Sequence, residues 1–173
     1  IFLIANEDFT ASMKKHMPHI ELKSQAPHAV VVGFDTELTY NKVADIREFM
    51  GSNVPLWSLH TDLFCPDGDY RLPDCGSIVS FIETSYNVDS VLDFGKPSQL
   101  MADHLRELLI NAAKSYYVGD RFSIDMKFAD AVAIQGVYVE TGDKDDEPPM
   151  KSKKYLRYAT TLEFLNTIIK DLC

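Results

Sequence analysis

The chain has 173 residues, 46% of them hydrophobic and 25% charged, with a formal net charge of −9 and a pI near 4.9. That length and composition support a buried core in one ordinary domain or two small lobes and argue against disorder. A surface this acidic repels nucleic-acid phosphates and anionic lipid heads, and no apolar run reaches the roughly eighteen residues of a membrane span, so neither partner is expected.

Apolar runs bounded by turn residues alternate with stretches of helical period, the signature of an α/β fold. Ile1–Ala5 reads as a strand. It has no basic flank and is too short for a signal sequence, and the chain enters it directly without an initiator Met, as if cut into. Glu7–His16 is predicted to be a short helix. Ala29–Phe34 is a strand too uniformly apolar for a half-solvated sheet. Tyr40–Met50 places Val43, Ile46, Phe49 and Met50 on one helical face. Pro55–His60 is a strand, followed by a long polar loop holding Pro66, Gly68 and Pro73. Cys75–Tyr86 is a helix with Ile78, Val79 and Ile82 inward, and Val91–Phe94 a strand. Pro97–Asn111 is a helix opened by proline in its first turn. Ser115–Val118 is a strand running into Gly119-Asp120, Ile124–Asp130 is helical, and Val132–Val139 is a strand. Thr141–Lys154, charged and rich in Gly and Pro, reads as a solvated loop. Tyr155–Leu172 closes the chain as an amphipathic helix. The three cysteines, Cys65, Cys75 and Cys173, have no metal-type spacing and read as reduced thiols of a cytoplasmic protein.

The chemistry-bearing residues cluster in the second half. Gly95-Lys96-Pro97-Ser98 stands where a strand hands over to a helix, and Gly119-Asp120-Arg121-x-x-x-Asp125 stands at the end of another strand. Ligands of open parallel sheets bind outside the carboxyl ends of the strands, so one lysine and two carboxylates are directed to the same rim. Lys96 offers a point charge for a phosphoryl oxygen. Asp120 offers hard oxygen to Mg²⁺, which keeps waters and phosphate in the rest of its shell, and Asp125 can support that ion from one turn on. Taken singly, a lysine at a helix start is ordinarily solvated and a Gly-Asp is ordinarily a turn; the combination in this order is far more specific.

The run Gly95-Lys96-Pro97-Ser98-x-x-Met101, then Val118-Gly119-Asp120-Arg121-x-x-x-Asp125, then Gly136-Val137-x-x-Val139-x-Thr141-Gly142 resembles the third and fourth motifs of haloacid-dehalogenase-like phosphatases. The group with a large α/β cap is the most similar: p-nitrophenyl phosphatase, phosphoglycolate phosphatase, pyridoxal phosphatase and NagD-like enzymes. Val31-Val32-Gly33-Phe34-Asp35-x-x-x-Thr39-Tyr40-x-Lys42 resembles the opening of that cap, and Pro55-Leu56-x-x-x-His60-x-Asp62-x-x-x-Pro66 the strand and loop that follow. Leu59-His60 stands where the family typically has Thr-Asn, and Asp74 where it usually has Gly, so substrate contacts there depart from the pattern.

The resemblance implies an α/β cap over residues 1–89 and the C-terminal half of a Rossmann-like core over 90–173. It implies Mg²⁺-dependent hydrolysis of small phosphorylated metabolites through a phosphoaspartate, with Lys96 facing phosphate, Asp120 and Asp125 at the metal, Cys65 facing the substrate from the cap, and a homodimer built through the cap. The nucleophile and acid/base aspartates belong to a D-x-D strand ahead of the cap, and the reading is of a chain that lacks it and is inactive alone. Two other readings stay open. The chain is a non-enzymatic dimerising or binding module or pseudo-enzyme; or it is a compact capless phosphatase, with Asp35 before Glu37 as nucleophile and Ser58 or Thr61 as the phosphate-binding hydroxyl. Asp67-Gly68-Asp69 follows Pro66 in a loop and carries no weight as a nucleophile motif.

Overall fold

The computed structural model describes residues 1–109, 114–142 and 154–172; Cys173, the end of the helix expected to reach Asn111, and most of the expected loop at 141–154 lie outside them. The chain divides into two compact units, one up to Gly95 and one from Lys96 onward.

The first unit runs β1 (Phe2–Ile4), α1 (Glu7–His16), β2 (Val30–Val32), α2 (Tyr40–Ala44), α3 (Arg47–Gly51), β3 (Leu56–Ser58), β4 (Phe64–Asp67), β5 (Tyr70–Pro73), α4 (Cys75–Tyr86) and β6 (Val91–Asp93). Four strands form a parallel sheet in the order β1-β2-β3-β6. Its register makes rows across the sheet: Phe2, Val30, Leu56 and Val91; Leu3, Val31, Trp57 and Leu92; Ile4, Val32, Ser58 and Asp93. Alternate rows point to opposite faces. The first and third rows pack against Val43, Ile46 and Met50 and against Ile78, Val79 and Ile82 of α4, giving the larger core. Leu3 and Val31 on the other face are covered by Leu22 and by Phe9 and Met13 of α1, but cover fades along that row, and Leu92 at its far end is 46% exposed.

Three expectations are corrected here. Residues 40–50 are not one helix: Asp45 N–H still bonds to Asn41 O at 2.9 Å, but Ile46 N–H turns to Val43 O at 3.4 Å, a tightened step that divides the segment into α2 and α3. The polar loop after β3 contains an antiparallel hairpin, β4–β5, closed by the two residues Gly68 and Asp69, with Gly68 at φ +59 as a tight hairpin turn requires. Every residue of β5 is exposed, so no apolar alternation marked it. Finally, Val91–Asp93 pairs with β3 and so belongs to the first unit, carrying the division of the chain to Gly95; a sequence shows where turns fall, not which neighbour a short strand takes.

The second unit runs α5 (Gln99–Leu108), β7 (Tyr116–Gly119), a π-helical turn at Phe122–Met126, α6 (Lys127–Val132), β8 (Gln135–Val139), β9 (Leu156–Tyr158) and α7 (Thr161–Leu172). Strands β7-β8-β9 form a second parallel sheet. Ala102, Phe128 and Val132 pack with Leu105 and Tyr117 in one cluster, and Val137, Val139 and Phe164 pack with Tyr116 and Val118 in another. Helix α5 begins at Gln99 rather than at Pro97, because the Ser98 side chain is the cap, accepting from Met101 N–H at 3.3 Å. The closing helix also begins later than its apolar period suggests. Residues 156–158 join the sheet, and Thr160 caps α7 by accepting from Glu163 N–H at 3.1 Å, while Glu163 reaches back to Ala159 N–H at 2.8 Å. That reciprocal arrangement is close to a capping box.

Ile82 is fully buried in the first unit's core. Ile82→Ala is expected to destabilise that unit by about 2–5 kcal/mol, read as a lower urea midpoint with an unchanged m-value.

Candidate functional site

The second unit brings three of the sequence-selected residues to one strand end. Strand β7 ends in Gly119, and a side chain on Gly119 would overlap the carboxylate of Asp125; only glycine lets Asp125 lie against the strand. The π-helical turn carries Asp125 there, with its N–H donating to Arg121 O at 2.7 Å. Asp125 is buried, and both of its oxygens are engaged: Oδ2 accepts from Arg121 N–H at 3.1 Å and Oδ1 from Lys96 Nζ at 2.9 Å. Burial works against the Lys96 ammonium, but its hydrogen bonds to Asp125 and Tyr117, with the charge of Asp125, outweigh that and hold Lys96 above the ordinary lysine value. Burial pushes the Tyr117 phenol up, against the pull of Lys96. The arrangement is therefore a charged lysine with its donor head partly solvent-facing, its position fixed from below by a buried carboxylate.

Asp120 follows Gly119 and is half-buried. Its carboxylate lies on Gly142, beyond the end of β8, where φ is +110 and a Cβ would collide with Oδ2. Gly142 thus leaves a cradle for the Asp120 carboxylate beside the strand ends. Asp125, one turn on from Asp120, turns its oxygens to Lys96 and the Arg121 backbone.

The remaining candidates belong to the first unit. Asp35 is buried and its side chain is wholly shielded from solvent; Lys42 Nζ donates to Oδ1 at 3.0 Å and to Oδ2 at 2.8 Å, and Glu37 N–H donates to Oδ1 at 2.9 Å. Ser58 Oγ and Thr61 Oγ1 donate to the two oxygens of Asp93 at 3.1 and 3.2 Å, and Gly95 N–H donates to Oδ1 at 2.8 Å. All three groups expected of a compact site are thus tied into the frame of the sheet. Cys65 is a half-buried free thiol on β4, paired across the hairpin with Leu72. Cys75 is buried at the start of α4, donates to Val32 O at 3.3 Å, and is pushed by burial to a pKa of about 11.

Tyr117 and Asp93 were not singled out from sequence, and Gly142 only as the last residue of a motif. A glycine following a strand was a readable signal at Gly142; the reach of Tyr117 to Lys96 had none, since an aromatic pair in a strand reads simply as core.

Residues 93–162 match the HAD-hydrolase-like family model. Over 144 residues the chain is 29% identical to acid sugar phosphatase of Staphylococcus saprophyticus, covering 83% of this chain and 54% of that protein. Over 121 residues it is 28% identical to glycerol-3-phosphate phosphatase of Gallus gallus, covering 68% and 38%. The crystal structure of 4-nitrophenylphosphatase from Thermotoga maritima superposes with a TM-score of 0.81 at 25% identity, over 95% of this chain and 64% of that one. The chain is similar to the cap-bearing haloacid-dehalogenase-like phosphatases. It spans about half the length of the first of these curated relatives and less of the second. Within this haloacid-dehalogenase-like chain, the family-matched segment contains Lys96, Tyr117, Asp120, Asp125 and Gly142, the residues that the fold gathers at the ends of β7 and β8.

Because the folded state holds the Lys96 pKa above 10.5, the pair's stabilisation is fully present below that pH and is lost as the pH rises through the raised value. Wild type is expected to exceed Lys96→Met in urea midpoint at pH 8, and the gap to close as the pH is taken past 10.5.

Proposed function

We propose that these residues are the cap and the C-terminal half of the core of a Mg²⁺-dependent hydrolase of small phosphomonoesters. The observation that carries this reading is the Lys96–Asp125 pair set beside the Asp120 carboxylate at the carboxyl end of one parallel sheet. Lys96 holds a phosphoryl oxygen, and Asp125 keeps the ammonium aimed and charged. Asp120, a hard oxygen donor in the Gly142 cradle, fits Mg²⁺; bound there, the ion would neutralise phosphate charge. Cys65 on the exposed hairpin of the cap faces the substrate. The attacking and acid/base aspartates come, in this reading, from a D-x-D strand outside these 173 residues. Asp35 is a poor substitute, since a shielded carboxylate held at both oxygens by Lys42 has no lone pair directed at a substrate.

The acid sugar and glycerol-3-phosphate phosphatases among the relatives favour small phosphorylated polyols or sugars as the substrate class. No helix among the described residues is long and apolar enough to cross a membrane, and the cytoplasm suits both the free thiols and a metabolite substrate.

The 173-residue chain is expected to hydrolyse p-nitrophenyl phosphate with Mg²⁺ no faster than buffer. Mg²⁺ is expected to shift the backbone amide NMR signals of residues 119–121 and 142, and Asp120→Asn to remove those shifts. Turnover that disappears in Asp35→Asn would instead establish the compact phosphatase.

A second reading concerns assembly. The apolar row ending in Leu92, with Phe94 also exposed and in ring contact with Trp57 at 5.4 Å, suits self-association of the cap. Sedimentation velocity is expected to show a dimer that Leu92→Glu converts to monomer; a monomeric wild type across the micromolar range removes this reading.

A further inference from the structure

The first unit holds another group of potential ligands, at the carboxyl end of β3. His60 and Asp62 lie on the segment leaving that strand, and Asp74 is the cap of α4. The imidazole stands between the two carboxylates: Nδ1 is 3.8 Å from Asp62 Oδ2 and Nε2 is 3.5 Å from Asp74 Oδ1. One donor atom from each of the three residues can be chosen so that all lie within 4.8 Å of one another. Asp74 is buried, and its Oδ1 accepts from Cys75 N–H at 2.6 Å. The Nδ1 atom of His60 is sealed from solvent and has no hydrogen-bond partner among the described residues. A buried ring nitrogen in that state is costly, and a bound cation removes the cost.

The backbone around the cluster is held closely. A Cβ on Gly76 would overlap Thr61 O, and one on Gly95 would come within 2.6 Å of the His60 Cα. Asp62 O accepts from Gly76 N–H at 2.8 Å, and Leu63 O from Asp74 N–H at 3.1 Å. The segment from Leu59 to Leu63 is therefore clamped between the exit of β6 and the start of α4, so the three side chains start from a set frame.

We propose that His60, Asp62 and Asp74 form a binding site for a divalent transition ion of the zinc type. One imidazole nitrogen and two carboxylates make a mixed N/O set, which suits zinc and its neighbours in the first row, whereas Mg²⁺ and Ca²⁺ take oxygen alone. Zinc bonds of about 2.0–2.1 Å at tetrahedral angles put neighbouring ligand atoms about 3.3 Å apart, so one ring nitrogen and one oxygen from each carboxylate, all within 4.8 Å of one another, come to that spacing by side-chain rotation. Three protein ligands leave a fourth position for water or an anion, and both His60 and Asp62 are partly open to solvent. The ion would tie the exit of β3 to the start of α4, the two segments that bracket the β4–β5 hairpin. This site shares no residue with Lys96, Asp120 or Asp125, and it stands whether or not the phosphatase reading does.

The test is titration of the metal-free chain with Zn²⁺ by calorimetry and with Co²⁺ by visible absorption, in an Asp120→Asn background that removes the oxygen ligand of the second unit. Binding of one ion per chain is expected, with visible Co²⁺ bands, loss of the free-ring NMR signals of His60, and a rise in melting temperature reversed by EDTA. His60→Gln and Asp74→Asn are each expected to weaken binding at least about tenfold; asparagine is a good helix cap, so the second variant keeps α4 intact, and circular dichroism verifies folding in both. The proposal is overturned if both variants bind as the parent does, if a sulfur-to-cobalt charge-transfer band shows cysteine ligation instead, or if the ring NMR signals of His60 are unchanged at saturating Zn²⁺.

Discussion

The organisation of the second unit depends on one buried carboxylate. Asp125 lies flat on Gly119, accepts from the Arg121 backbone and grips Lys96. Each of these contacts constrains another. The glycine is needed to admit the carboxylate, the π-helical turn to deliver it, and the ion pair to offset the burial that by itself lowers the pKa of the ammonium at that strand end. Asp120 inherits its position from the same strand end, because the residue after Gly119 has to leave the sheet toward the rim, where Gly142 makes room for it.

The first unit solves a similar problem with Asp93. The third row of its sheet begins apolar, with Ile4 and Val32, and turns polar at Ser58 and Asp93. Ser58, Thr61 and the Gly95 backbone converge on the Asp93 carboxylate, so the donors at that end of the sheet are satisfied internally, as buried polar groups must be. The same economy governs Asp35 and Lys42. Residues that resemble catalytic acids and hydroxyls in one dimension are, in three, the fastenings of a parallel sheet.

Much of this was readable from sequence, and the exceptions have physical causes. Uniformly apolar Val30–Val32 identified a strand covered on both faces, and the period of Cys75–Tyr86 gave a helix whose bounds are those observed. The strand–lysine and strand–Gly-Asp junctions named Lys96, Asp120 and Asp125. What pattern could not show was the trading of partners. Asp125 serves Lys96 with one oxygen and a backbone amide with the other, and its spacing announced neither partner. Strand β9 was hidden because Leu156–Tyr158 continues the apolar stretch of α7, although Thr160-x-x-Glu163 carried the capping signal that separates them. His60 and Asp74 could be noticed only as departures from a family pattern; that they meet at Asp62 required the hairpin to fold back between them.

The β4–β5 hairpin has a further implication. Its two strands are joined to each other through the main chain, and the side chains of β5 all project into water, with only Arg71 lying across the Phe64 ring at 4.0 Å. Folding therefore asks almost nothing of the identity of those side chains. Mutations can accumulate along this ribbon without loss of the protein, so whatever it meets is open to evolutionary revision while the sheet beneath it stays the same.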